Sequence, residues 1–223
     1  IFFSTPDVTG PPPSMTWVPV DQVCEYGDPQ YWDQKYQKED EVTEWFFGYE
    51  PLKPVFEKLL KPSSRILMLG CGNSTLSADM YAAGYHHITN IDISASAIEK
   101  MQSQYAHMSE MQWLVMDATQ LTFGDESFDF VVDKGTLDAL CCAPGGDGLV
   151  ATMNHEVVRV LKAEGRYIMI SFVEPKGRLR HFGDCGFADN VEIVTIRTPG
   201  MRADNEDECL HYAYILAPAV YDE

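Results

Sequence analysis

Basic residues are scarce in this 223-residue chain: 16 Lys and Arg stand against 34 Asp and Glu, a formal net charge of −18. A surface of that sign repels nucleic acid and anionic lipid and draws basic partners from a distance. Long apolar runs are missing too. No eighteen consecutive apolar residues occur, so no segment reads as a membrane-spanning helix and no membrane partner is expected. The opening IFFSTPDVTGPPPS has neither a basic stretch nor an apolar core, so it does not read as a secretory signal. Its Pro, Gly, Ser and Thr predict a flexible arm, taken here as residues 1–24. The six cysteines (Cys24, Cys71, Cys141, Cys142, Cys185 and Cys209) make no CxxC pair and no Cys/His cluster at zinc spacing. That excludes a zinc ribbon and predicts reduced thiols in a cytoplasmic or nuclear protein, with no metal. No GxxxxGK[ST] phosphate loop and no internal repeat is present.

What is present is an alternation of strand and helix periods, and no charge block or low-complexity linker divides residues 25–223. One α/β domain is therefore expected. Asp28 followed by Pro29 opens a short helix to Gln37. Glu41 to Tyr49 reads as an aromatic-rich turn or short helix, and Glu50 to Lys61 as a helix with one apolar face. Apolar runs at Arg65–Leu69, His87–Ile91, Gln112–Met116, Phe128–Asp133 and Arg166–Phe172 predict five strands. Helices at Ser74–Ala83, Ser94–His107, near Thr136–Cys141, and at Leu149–Leu161 separate them, with Ala143–Gly148 as a loop. The tail changes character: Val191–Arg197 alternates and His211–Ala217 is a second late strand. No helix-length connection lies between these two, so they predict an antiparallel hairpin on an otherwise parallel sheet.

The chemistry concentrates after the strands. Leu69-Gly70-Cys71-Gly72-Asn73-Ser74 follows the first strand and precedes a helix, where two glycines permit a sharp turn and close approach to a ligand, and the helix start offers free amides. Asp92 ends the second strand, placed to accept from ribose hydroxyls, and Asp117 ends the third, placed for an adenine amino group. Asp133 ends the fourth. A dinucleotide fingerprint requires a third glycine where Thr75 stands.

The run ILMLGCGNS, NIDIS, MDATQL, FDFVVDKGTLDAL resembles the class I, seven-strand S-adenosylmethionine-dependent methyltransferases. With YWDQKY (Tyr31–Tyr36) and the EWF at Glu44–Phe46, it is similar to the methyltransferase-like family that includes elongation-factor lysine methyltransferases. The resemblance covers roughly Glu25 to Phe172. It implies a Rossmann-like, doubly wound, mostly parallel seven-stranded sheet of order 3-2-1-4-5-7-6. It further implies S-adenosylmethionine as cofactor, S-adenosylhomocysteine as product, and a cofactor site made by Trp32, Tyr36, Trp45, Gly70, Cys71, Gly72, Asp92, Ile93, Asp117, Ala118 and Lys134. The implied substrate is a protein lysine, on a partner such as an elongation factor, and the implied protein is a monomer.

Methyl transfer asks little acid–base work of a protein, because the sulfonium already activates the methyl carbon; alignment and desolvation of the acceptor amine remain. Asp133 and Asp138 are the candidates for steering a cationic substrate, and no residue reads as a general base. The basic stretch Lys176, Arg178, Arg180 and His181 reads as a solvated helix face. Two other readings stay open: a small-molecule methyltransferase, and a non-catalytic S-adenosylmethionine-binding interaction module.

Overall fold

A computed structural model describes residues 25–38, 41–197 and 210–219. The arm expected at residues 1–24, with Cys24 and Cys209, lies outside the described residues. A short 3-10 turn at Glu25–Gly27 leads into α1 (Pro29–Lys38), which Asp28 opens by accepting the Gln30 amide at 2.9 Å. Then follow α2 (Lys53–Leu59), β1 (Ile66–Leu69), α3 (Leu76–Ala82), β2 (Ile88–Asp92), α4 (Ala95–Gln104), β3 (Gln112–Val115) and β4 (Phe128–Lys134). The chain continues through α5 (Thr136–Leu140), α6 (Gly146–Val160), β5 (Leu161–Ser171), α7 (Pro175–Arg178), β6 (Glu192–Arg197) and β7 (Leu210–Leu216). The segment around Glu41–Tyr49 takes the turn reading, and the helix expected from Glu50 begins only at Lys53.

The strands form one sheet in the order β3-β2-β1-β4-β5-β7-β6. The first five are parallel, whereas β7 runs antiparallel to both β5 and β6. The expected doubly wound sheet with its C-terminal hairpin is therefore the observed one. Its strands read as near-continuous apolar runs because both faces are covered. Ile66 and Met68 of β1 point into one core with Phe56, Met80 and Met101, while Leu67 and Leu69 point into the other with Val150, Met153 and Val157. Each such buried side chain contributes about 1.5–3 kcal/mol relative to exposure.

Two boundaries differ from expectation. Ala143–Gly148 is not all loop, since α6 starts at Gly146. A side chain there would meet the Leu140 carbonyl at 2.5 Å, so only glycine lets the helix begin so close to α5. Strand β5 starts at Leu161, directly after α6, and pairs Leu161 with Phe128 across a register shift. The polar Lys162 and Glu164 hid this strand's first residues, where Ala163 and Glu164 are exposed to solvent.

The chain order reverses direction across the sheet between β1 and β4. That switch point opens a crevice beyond the carboxyl ends of the parallel strands, the position where doubly wound sheets take ligands.

Candidate active site

A cavity of about 470 Å³ occupies this crevice, well within the range of a small-molecule site. It spans the tips of β3, β2, β1, β4, β5 and β7 and is bounded on the N-terminal side by α1 and the 41–48 segment. Trp32, Tyr36, Trp45, Gly70, Asp92, Ile93, Asp117, Ala118 and Lys134 all line it. Cys71 and Gly72 do not. They line a recess of about 20 Å³ behind it, which shares Tyr36, Trp45, Gly70 and Lys134 with the cavity wall.

The glycine turn is built for close approach. Gly70 and Gly72 have φ of 55° and 52°. A Cβ at Gly70 would sit 2.1 Å from Thr136 Oγ1, and one at Gly72 would sit 2.4 Å from the Tyr36 hydroxyl. The carboxylate of Asp92 organises this turn: Oδ2 accepts the Gly72 amide at 2.8 Å and Oδ1 the Ser94 amide at 2.9 Å. Burial raises the Asp92 carboxyl above its usual range, and these backbone donors pull it back toward the ionised form. Each oxygen keeps a lone pair for a ligand hydroxyl. Beside it Ile93 is 39% exposed and forms an apolar shelf at the cavity edge. Asp117 is exposed and folds onto Thr119, accepting from its amide and hydroxyl at 2.8 Å each.

The expected free amides at the start of α3 are not free. Glu44, from the loop before α2, accepts the Thr75 amide at 2.6 Å and the Ser74 hydroxyl at 2.9 Å. Its other oxygen pairs with Lys134 at 3.0 Å, and Lys134 also donates to the Trp45 carbonyl at 2.8 Å. A side-chain carboxylate thus sits where a dinucleotide's pyrophosphate lies in the nucleotide-binding version of this topology. A carboxylate in that place disfavours a phosphate beside it, which suits a nucleoside that carries an amino-acid tail in place of phosphates, such as S-adenosylmethionine.

Aromatic residues close the N-terminal side. Trp32 stacks on Tyr36 with ring centroids 5.9 Å apart, meets Trp45 edge-on at 5.5 Å, and donates its indole N–H to the Tyr26 carbonyl at 2.8 Å. Asp33 fastens this helix over the β2 tip by accepting from the Ser94 hydroxyl and the Ser96 amide at 2.8 and 3.0 Å.

The two steering candidates part company. Asp133 is fully buried behind the wall and does not line the cavity. Its carboxylate accepts the Thr136 and Leu137 amides and the Tyr167 hydroxyl at 2.7, 3.0 and 2.9 Å, and so sets the start of α5. It cannot touch a substrate. Asp138 does line the cavity, paired to Arg178 and accepting from Ser171 Oγ at 2.8 Å. The basic stretch is accordingly no solvated face: Arg178 is 3% exposed and His181 8%, both turned inward, and only Lys176 and Arg180 keep that reading.

Several lining residues carried no sequence signal. Phe46, with a strained φ of 66°, lies 6.0 Å from Phe172 and 4.9 Å from His211, ring centre to ring centre. Together they wall the β5–β7 end of the cavity. They come from three distant segments, and only the unusual EWF cluster hinted at one of them. Burial lowers the His211 pKa, so this end presents a neutral imidazole.

Comparisons with known proteins agree with this geometry. Residues 67–169 match a family model described as a methyltransferase domain. The chain is 36% identical over 182 residues to EEF1A lysine methyltransferase 4 of Bos taurus, covering 77% of this chain and 71% of that one. It is 40% identical over 200 residues to the eEF1A lysine and N-terminal methyltransferase of Homo sapiens, but there it covers 86% of this chain and only 29% of the relative. Among solved structures, the N-methyltransferase NodS of Bradyrhizobium japonicum, in complex with S-adenosylhomocysteine, superposes with a TM-score of 0.62 at 17% identity, over 85% of this chain and 99% of that one. A crevice shaped for a nucleoside without phosphates, an acidic residue at the β2 tip and relatives of this similarity converge on one assignment: the chain belongs to the class I S-adenosylmethionine-dependent methyltransferases, in the eEF1A lysine methyltransferase family.

Proposed function

We propose that this chain transfers the methyl group of S-adenosylmethionine to the side-chain nitrogen of a lysine in a protein, with elongation factor 1A as the substrate. The identity of 36–45% with proteins named as eEF1A lysine methyltransferases, carried across the motif-bearing region, supports this reading. The net charge of −18 suits a partner that presents lysine. Action as a monomer in the cytoplasm goes with it.

In this reading the β2–β3 end of the cavity takes the nucleoside. Asp92 receives the ribose hydroxyls, Ile93 lies against adenine, and Asp117 with Ala118 borders its amino edge. Gly70 faces the methionine portion, and Trp32, Tyr36 and Trp45 form the wall above it. Lys134 holds that wall through Trp45 and Glu44 more than it touches the ligand. The cofactor supplies a methyl carbon made electrophilic by its sulfonium. The chain's own residues align the acceptor nitrogen along the line of the departing sulfur and exclude water around it. The N–C bond forms as the C–S bond breaks, the electron pair leaves with sulfur, and the amine's proton passes to solvent.

The test is incubation with recombinant elongation factor 1A and radiolabelled methyl donor, followed by peptide mass spectrometry. The expected outcome is label on a lysine side chain, abolished when that lysine is changed to Arg. Label found only in a small-molecule fraction, or cofactor binding with no transfer to any protein, would defeat the reading.

A further inference from the structure

The charges along the cavity are distributed unevenly. Asp92 and Asp117 lie toward the β2–β3 end, and Lys134 is cancelled by Glu44. Toward the β5–β7 end the charged lining residues are Asp138 and Arg178, and they cancel each other. Arg178 donates through one terminal nitrogen to Asp138 Oδ1 and through the other to Cys141 Sγ at 3.1 Å. The pair is deeply buried, with side-chain exposures of 4% for Arg178 and 11% for Asp138, and Asp138 Oδ2 has no hydrogen-bond partner among the described residues. Phe46, Phe172, Val173 and Leu140 complete that end.

Resting on the proposed amine acceptor, we infer that Arg178 is a specificity-determining residue: by cancelling Asp138 it makes the acceptor end a site for the uncharged amine and not for the ammonium. An unpaired carboxylate there would bind the ammonium and raise the amine's pKa by about 1–3 units, leaving the nitrogen without its nucleophilic lone pair. Arg suits the task because its guanidinium does not lose its charge in the working pH range.

Among the described residues around the pair, the neighbouring phenols, thiol and imidazole with shifted pKa values are moved away from the range of pH 7 to 9. Burial keeps the phenols of Tyr167 on β5 and Tyr214 on β7 protonated, raises the Cys141 thiol, and lowers His181 toward its neutral form. Asp133 on β4 titrates near 6. Arg180 pairs with Asp147 of α6 at 3.5 Å, and Glu174 stands just before α7.

Steady-state kinetics from pH 7 to 9, with a lysine acceptor the wild type methylates, test this. Wild type is expected to bind only the free amine, so KM falls about tenfold per pH unit while kcat stays flat. In Arg178→Gln the ammonium binds, so KM turns flat and kcat rises about tenfold per unit. Arg178→Lys keeps the charge and returns the wild-type split. S-adenosylhomocysteine affinity, measured in parallel, verifies that each variant is folded. A flat KM in the wild type overturns the inference without any variant, which covers a failure of Arg178→Gln to fold; so does a wild-type split in a folded Arg178→Gln. A merely structural role for Arg178 lowers activity without exchanging which parameter carries the pH dependence. A wild type that methylates no lysine overturns the proposed function and this inference together.

Discussion

Glu44 and Lys134, ninety residues apart, meet in an ion pair of 3.0 Å under the cavity wall, and through it the 41–48 loop, the glycine turn and the tip of β4 become one unit. Burial pushes the Lys134 pKa down while Glu44 pushes it back up, so the carboxylate favours the charged form of the lysine. Glu44→Ala leaves a buried ammonium with only the Trp45 carbonyl. The expected loss is about 1–3 kcal/mol of stability in urea denaturation, with weaker S-adenosylhomocysteine binding. Adding Lys134→Met is expected to recover part of the stability, because removing both charges also removes the unpaired one. Equal stability of wild type and Glu44→Ala would show that the latch carries no energy.

Asp92 serves two tasks at once, ordering the glycine turn and facing the cavity. Asp92→Ala is expected to weaken S-adenosylhomocysteine by tenfold or more in calorimetric titration, a loss of at least about 1.4 kcal/mol. Unchanged affinity in a folded variant would place the nucleoside elsewhere.

Gly70→Ala forces a side chain into the left-handed region and against the Thr136 hydroxyl, which itself donates to the Leu69 carbonyl at 2.9 Å. The expected cost is about 1–2 kcal/mol from backbone conformation alone, read as a lowered Tm. A Tm within experimental error of wild type would argue that the turn relaxes freely.

Asp133 gives a pH signature. Burial raises its carboxyl to about 6, above the unfolded value of 3.8. The folded chain therefore binds more protons than the unfolded chain between those values, and this group's contribution to stability falls as pH rises from about 4 to about 6. At full strength the change is about 3 kcal/mol. The stability difference between wild type and Asp133→Asn should carry that slope. A difference independent of pH across the window would mean that the Thr136, Leu137 and Tyr167 donors offset the burial entirely.

Residues close in sequence were the legible ones. Gly70, Gly72 and Asp92 announce themselves because a strand, a tight turn and a helix start are local events, and the acidic residues after successive strands share an edge by topology alone. The helix expected from Ser94 does start there, and the Ser94 hydroxyl caps it by accepting the Ala97 amide at 3.1 Å. Arg178 was misread because charge in a short window looks like a solvated face, and its partner Asp138 stands forty residues away. The expectation of open amides before α3 failed for the same reason: Glu44 reaches them from thirty-one residues upstream.

The sequence by itself determined the layered α/β architecture and the glycine turn with its strand-terminal carboxylates, because hydrophobic period, glycine placement and helix starts act over a few residues; the strand order was what the resemblance to the methyltransferases implied. Only the tertiary structure decided which charges are cancelled and which rings meet. Phe46, Phe172 and His211 converge because β5 ends, and the antiparallel β7 begins, beside the same loop. Pairings of that kind depend on where distant segments come to rest in space, and no local pattern encodes the distance.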